Sequence, residues 1–142
     1  MPQLENSEVV KRMLTILINI SGRKTTAGHA VSTMDTLIKR LAEKYDFLKH
    51  VEINDTRFSE IGDPVTVMSD INTVKSNEMG KALHTIIRTM NESLGEDAGY
   101  FFIKEIQSSL EDEFHSAIEE MGVNLSFMQL EQEIDKLEKK LK

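Results

Sequence analysis

Cysteine is absent from this 142-residue chain, which excludes disulfides, thiolate metal ligands and a cysteine nucleophile together. Also missing is any apolar run near the roughly 18 residues that a membrane-spanning helix needs. The longest, Met13 to Ile20, is interrupted by Thr15 and Asn19. The first ten residues, MPQLENSEVV, lack the basic start and apolar middle of a secretory signal, so the expected location is cytoplasmic, with no membrane partner. Cationic density is low: 17 Lys/Arg stand against 24 Asp/Glu, for a net charge of −7. Nonspecific nucleic-acid binding needs the opposite balance, so no nucleic-acid partner is expected. No G-x-S-x-G elbow, H-E-x-x-H pair or dinucleotide fingerprint occurs. The expectation therefore assigns no catalytic residue, no metal and no cofactor, and leans away from an enzyme.

What is present is the composition of a folded domain. Hydrophobic residues make up 39% and charged residues 29%, and the length suits one domain spanning residues 1–142. Charge is uneven. Residues 1–50 carry eight Lys/Arg and five Asp/Glu, net +3, whereas the remainder carries nine and nineteen, net −10. The basic bias of the first third leaves room for a small anion there. The acidic remainder reads as a solvated surface.

Apolar spacing predicts the elements. Val10, Met13, Leu14, Leu17 and Ile18 mark a first helix over about Ser7 to Ile20, with Ser7 as cap and Gly22 as its stop. Ile16 and Ile20 widen its apolar face, so this helix is expected to be buried on more than one side. Thr25 or Thr26 caps a second helix reaching about Tyr45, striped by Ala30, Met34, Leu37, Ile38 and Leu41, with His29 facing outward. The period then changes to two. Phe47 to Asn54 and Val65 to Asn72 alternate as strands, and Gly62 and Pro64 break the loop between them. A third helix runs from Ser76 to Leu94 on Met79, Leu83, Ile86, Ile87 and Met90, ended by Gly95. The longest signal is a single helix from Asp97 to Met121, with Asp97 as cap and Gly122 as its C′ residue. Ile103, Ile106, Leu110, Phe114 and Met121 stripe it, and Tyr100, Phe101, Phe102 and Phe114 supply half of the eight aromatic residues. It is expected to be the spine of the bundle. A last helix over 126–142 is capped by Ser126 and Gln129, with Lys139, Lys140 and Lys142 suiting its C-terminal dipole. Its apolar residues Phe127, Leu130, Ile134, Leu137 and Leu141 repeat at three and four, a heptad seam that either packs on the bundle or protrudes to a partner.

Four groups of residues bear on chemistry. Arg23, Lys24, Thr25 and Thr26 stand before a helix whose free N–H groups favour an anion, with His29 beside them. KTT resembles the end of a phosphate-binding loop, but its earlier glycine is missing and a helix precedes it. A plain helix–helix turn with a threonine cap and solvated charges explains the same residues. His84 lies at the edge of the third helix's stripe, where a histidine usually bonds a neighbour or water; in the ligand reading it joins the turn from that helix. Glu111, Asp112, His115 and Glu119 imitate half of a di-metal carboxylate motif, yet no other helix repeats it, and a solvent-facing salt-bridged surface is the better reading. Asn54, Asp55, Glu60 and Asp63 gather oxygen donors without the spacing of a calcium loop. The terminal seam is the strongest partner signal. Its flanks, Glu131, Glu133, Glu138 and Lys140, bring like charges together in a self-pair.

Several strings also carry a resemblance: GHA at Gly28–Ala30, FLKHVEIN at Phe47–Asn54, EMGKALHTIIRTM at Glu78–Met90, GYFFIKEIQSSL at Gly99–Leu110, and EMGVNL followed by MQLEQE through Glu133. Together the chain resembles a family of small archaeal domains that occur alone and at the C-terminus of archaeal signalling proteins. The resemblance implies an output or regulatory module and brings no catalytic residues with it. The fold expected from all of this is α+β, mostly helical: a bundle of four to five helices with a two-stranded antiparallel unit between the second and third. The expected function is a non-enzymatic regulatory or protein-interaction module of archaeal signalling, acting through its surface or a homodimer. The alternative is a small-anion-binding protein or enzyme built on Arg23, Lys24, Thr25, Thr26, His29 and His84.

Overall fold

The computed structural model describes residues 4–54, 64–94 and 96–141. The fold is mostly helical, with six α-helices among the described residues: α1 (Asn6–Lys24), α2 (Ala27–Leu41), α3 (Ser76–Ser93), α4 (Glu96–Ser109), α5 (Asp112–Glu120) and α6 (Leu125–Lys140). Strands β1 (Val51–Ile53) and β2 (Val65–Val67) pair antiparallel between α2 and α3, in the register Val51↔Val67, Glu52↔Thr66, Ile53↔Val65. Two short strands are marginal in water alone. Here β1 packs on α2 and β2 on α1, with Val51 and Val65 buried.

The strands are shorter than their alternation predicts. Asp46–His50 tightens into a 3-10 turn before β1, and Ser69–Thr73 does so after β2. In each turn one apolar side chain, Leu48 or Ile71, is fully buried. A 3-10 turn drives one residue inward while keeping its neighbours wet, which two-residue alternation also satisfies. The loop residues Asp55, Glu60 and Asp63 lie outside the described residues, as does Gly95.

The hub is α1, not the stretch from Asp97 onward. Val9, Val10, Met13, Leu14, Ile16, Leu17, Ile18 and Ile20 are all buried, and α1 touches α2, α3, α4, α5, β2 and the Ser69–Thr73 turn. Ile16 and Ile20, which widen its stripe, allow it to be covered from several sides. Its start is also held by polar contacts. Asn6 is 8% exposed, and its Nδ2 donates to the carbonyls of Ile71 (3.1 Å) and Val74 (2.8 Å). The Ser7 N–H donates to Asn72 Oδ1 at 2.8 Å, and Asn72 Nδ2 donates to Glu5 Oε2 at 3.0 Å. The N-cap is therefore Glu5, not Ser7, with the Glu5 N–H donating to Glu8 Oε2 at 2.9 Å. The helix also runs through Gly22 to Lys24 instead of stopping there.

The predicted long helix is two. α4 ends at Ser109 and α5 begins at Asp112, with Glu111 extended (φ −65°, ψ 151°) at the junction. Arg12 of α1 holds the break: its Nε and Nη2 donate to Glu111 Oε2 and Oε1 at 3.0 and 2.6 Å, and Nη2 also reaches the Ser109 carbonyl at 3.4 Å. Leu110 is buried at the bend. His115 does not face solvent as predicted. It is half-buried, and its Nε2 donates across the break to the Gln107 carbonyl at 2.9 Å.

α5 closes in a Schellman motif. Gly122 takes φ +97°, its N–H donates to the Glu119 carbonyl (3.0 Å), and Val123 N–H donates to Ile118 (2.8 Å). The same turn presses on α3: a Cβ added at Gly80 would lie 2.0 Å from the Met121 carbonyl oxygen. Only glycine permits that approach.

Candidate functional site

Two surfaces collect the residues singled out by the sequence. The first is the α1–α2 turn. Thr26 caps α2, its hydroxyl accepting from the His29 N–H at 3.1 Å, while Thr25 Oγ1 donates back to the Ser21 carbonyl at 2.8 Å. His29 is exposed. The two cations turn the other way, toward α4. Arg23 Nη2 lies 3.2 Å from Glu105 Oε2, and Lys24 Nζ lies 2.7 Å from Glu105 Oε1. One carboxylate thus pairs with both basic groups and offsets half of their charge. Beside them is an open depression of about 500 Å³ lined by Arg23, Lys24, Glu105, Ser108 and Ser109. Thr25, Thr26, His29 and His84 are not among those walls; His84 is half-buried on α3. The turn's cations and its α2 cap therefore serve different neighbours. Glu105, Ser108 and Ser109 carry no signal in the sequence that would have joined them to the turn, because 81 residues separate Lys24 from Glu105.

Among the described residues, no group of three or more His, Asp or Glu could hold a metal ion, and no helix is long and apolar enough to cross a membrane. Among the described residues, only one titratable group is moved clearly from its ordinary range. The Arg12 guanidinium, hydrogen-bonded to Glu111, lowers that carboxyl below the usual value, and the Glu111 backbone N–H adds to the effect. The pair is structural, since it fixes the α4–α5 junction.

The second surface is α6. Its N-cap is Asn124, two residues before the predicted Ser126: Asn124 Oδ1 accepts from the Phe127 N–H at 2.9 Å. Leu125, Met128 and Gln129 are buried. α6 packs antiparallel on α4, since Gln107 Nε2 reaches Ser126 Oγ (3.2 Å) while Lys104, one turn earlier on α4, approaches Glu133 (4.0 Å), two turns later on α6. At 100° per residue the centre of this anchored face lies about 170° from the centre of the heptad seam. The seam is accordingly in solvent: Phe127, Leu130, Ile134, Leu137 and Leu141 are 57, 50, 46, 60 and 87% exposed. Phe101 of α4 is exposed as well. Five large apolar side chains in one exposed row differ from the scattered apolar residues of an ordinary surface.

Comparison of the chain with protein-family models, with curated proteins and with solved structures returned no match.

Proposed function

We propose that this chain is a non-enzymatic regulatory or protein-interaction module, of the archaeal signalling kind that the resemblance implies, working through the outer face of α6. One observation carries the reading: α6 is anchored by Leu125, Met128 and Gln129 and turns its most regular apolar row away from the core. A helix that needed that row for folding would bury it, because burying a Leu or Ile side chain contributes about 1.5–3 kcal/mol. The test replaces Ile134 and Leu137 by Gln and compares melting with the native chain. The expected result is a melting temperature within about 2 °C of native and unchanged helicity. A drop beyond about 6 °C would make the seam part of the core and end the reading.

A second reading is favoured by the depression beside Arg23 and Lys24. There a phosphate-like anion would displace Glu105 from the two cations. Inorganic phosphate should then raise the melting temperature, and Lys24→Ala should remove the gain, since a ligand that binds only the folded state stabilises it. No gain in phosphate ends this second reading.

A further inference from the structure

The row on α6 has an acidic border, and the border restricts what can cover it. In heptad terms Phe127, Ile134 and Leu141 take a positions and Leu130 and Leu137 take d, which places Glu131 and Glu138 at e, and Glu133 and Lys140 at g. Glu131 and Glu138 are exposed and make no ion pair among the described residues. Glu133 has Lys104 at 4.0 Å, the long limit for a pair.

A second copy of this chain fits this border poorly. A parallel self-pair sets Glu133 against Glu138 of the other copy. An antiparallel pair that stacks Leu130 on Ile134 sets Glu131 against Glu131 and Glu133 against Glu133. Sliding the antiparallel pair by one layer gains Glu133 against Lys140 but sets Glu131 against Glu138. Like charges at these positions select against the pairing that brings them together. A net charge of −7 on each copy adds long-range repulsion. Cations on the partner turn the contacts with Glu131, Glu133 and Glu138 favourable, and only Lys140, at the C-terminal end of the row, opposes them.

We propose that the α6 seam is the docking site for an amphipathic helix of another protein. Its apolar a and d residues would be flanked by lysine or arginine at e and g. This inference rests on the interaction-module reading and names the chemistry of the partner. The 3-4-3-4 spacing sets the mode of contact, knobs of one helix entering holes of the other, and the carboxylates set the partner's charge. The anchor residues on the opposite face hold α6 as a preformed helix, so binding costs little ordering on this side.

The probe is a synthetic helical peptide of roughly four heptads with Ile and Leu at a and d and Lys at e and g; its control carries Glu at e and g. Binding is read by fluorescence anisotropy. The Lys-flanked peptide should bind at least about tenfold more tightly than the control, and its binding should weaken as salt screens the flanking charges. Ile134→Gln with Leu137→Gln should abolish binding. Glu131→Gln with Glu138→Gln should reduce it while the apolar row stays intact. Equal binding of both peptides, binding of neither, or Lys-peptide binding that survives in the seam variant would each overturn the proposal. Light scattering during size exclusion separates its failure from that of the broader reading. A homodimer that the seam variant abolishes overturns the basic-partner proposal and leaves the interaction module standing. Collapse of the seam variant's melting temperature overturns both.

Discussion

Helices α1 and α6 begin from similar material. α1 has 19 residues and α6 has 16, and each carries large aliphatic side chains at helical spacing. In α1 the apolar residues spread around most of the circumference, and five other elements and a 3-10 turn cover them. In α6 they form two rows on opposite sides. Leu125 and Met128 meet the bundle, and the longer, more regular row from Phe127 to Leu141 meets water. Regularity of pattern is thus a poor guide to burial. A wide, untidy stripe is what a central helix needs, because its neighbours approach from several directions. A narrow 3.5-period seam suits a single partner helix.

The largest test of that contrast is a pair of equivalent truncations. Leu17→Ala, at a fully buried position, should cost about 3 kcal/mol in urea unfolding, and Leu137→Ala, at 60% exposure, under about 0.5 kcal/mol. Comparable losses would erase the distinction between the two helices. Adding volume should divide the molecule the same way. Gly80→Ala, whose methyl would meet the Met121 carbonyl oxygen, should destabilise by about 3 kcal/mol or prevent folding. Leu130→Phe on the seam should be neutral by the same melting measurement.

Asn6 sharpens the contrast at the start of α1. Its amide serves two carbonyls of the segment after β2, so Asn6→Ala takes one donor from each, and the Ile71 oxygen keeps only the Val74 N–H. The expected loss is about 2 kcal/mol, with faster hydrogen exchange in Ser69–Thr73.

The smallest effect belongs to the Arg12–Glu111 pair. Its carboxylate is half exposed, so screening limits its worth to under about 1 kcal/mol. Glu111's folded pKa lies below its unfolded value. The pair therefore stabilises above the unfolded pKa and loses that contribution as pH falls through the folded one. Glu111→Gln should cost little at neutral pH and progressively less as acid protonates the folded carboxylate, which melting across an acid series measures.

Much of the architecture was legible beforehand, and the failures have physical causes. The bounds of α3, a threonine cap on α2, the antiparallel pair and the multi-sided burial of α1 all follow from local spacing, and the structure chooses Thr26 over Thr25. The break at Leu110 and Glu111 does not, because Leu110, Phe114, Ala117 and Met121 continue the helical period straight through it. The contact made at that break is with Arg12, 99 residues away from Glu111 in the chain. Asn124 in place of Ser126 and Glu5 in place of Ser7 are cap choices between neighbouring polar residues. In both cases the residue that follows the cap, Leu125 or Asn6, is buried. At the basic turn, Arg23 and Lys24 looked available for an anion. Their counterion, Glu105, comes from a helix that the local pattern could not place beside them.

By itself the sequence determined which side of each helix is apolar, the bounds of α3, the start of α2, and that the last helix carries a regular apolar row flanked by Glu131, Glu133 and Glu138. These are properties of neighbouring residues, written in periods of 3.6, 3.5 and two. Only the tertiary structure decided which apolar sides are covered, which charges are already paired and where the longest helical pattern breaks. Each of those depends on what another segment brings to the same place, and no periodicity within one segment contains that information.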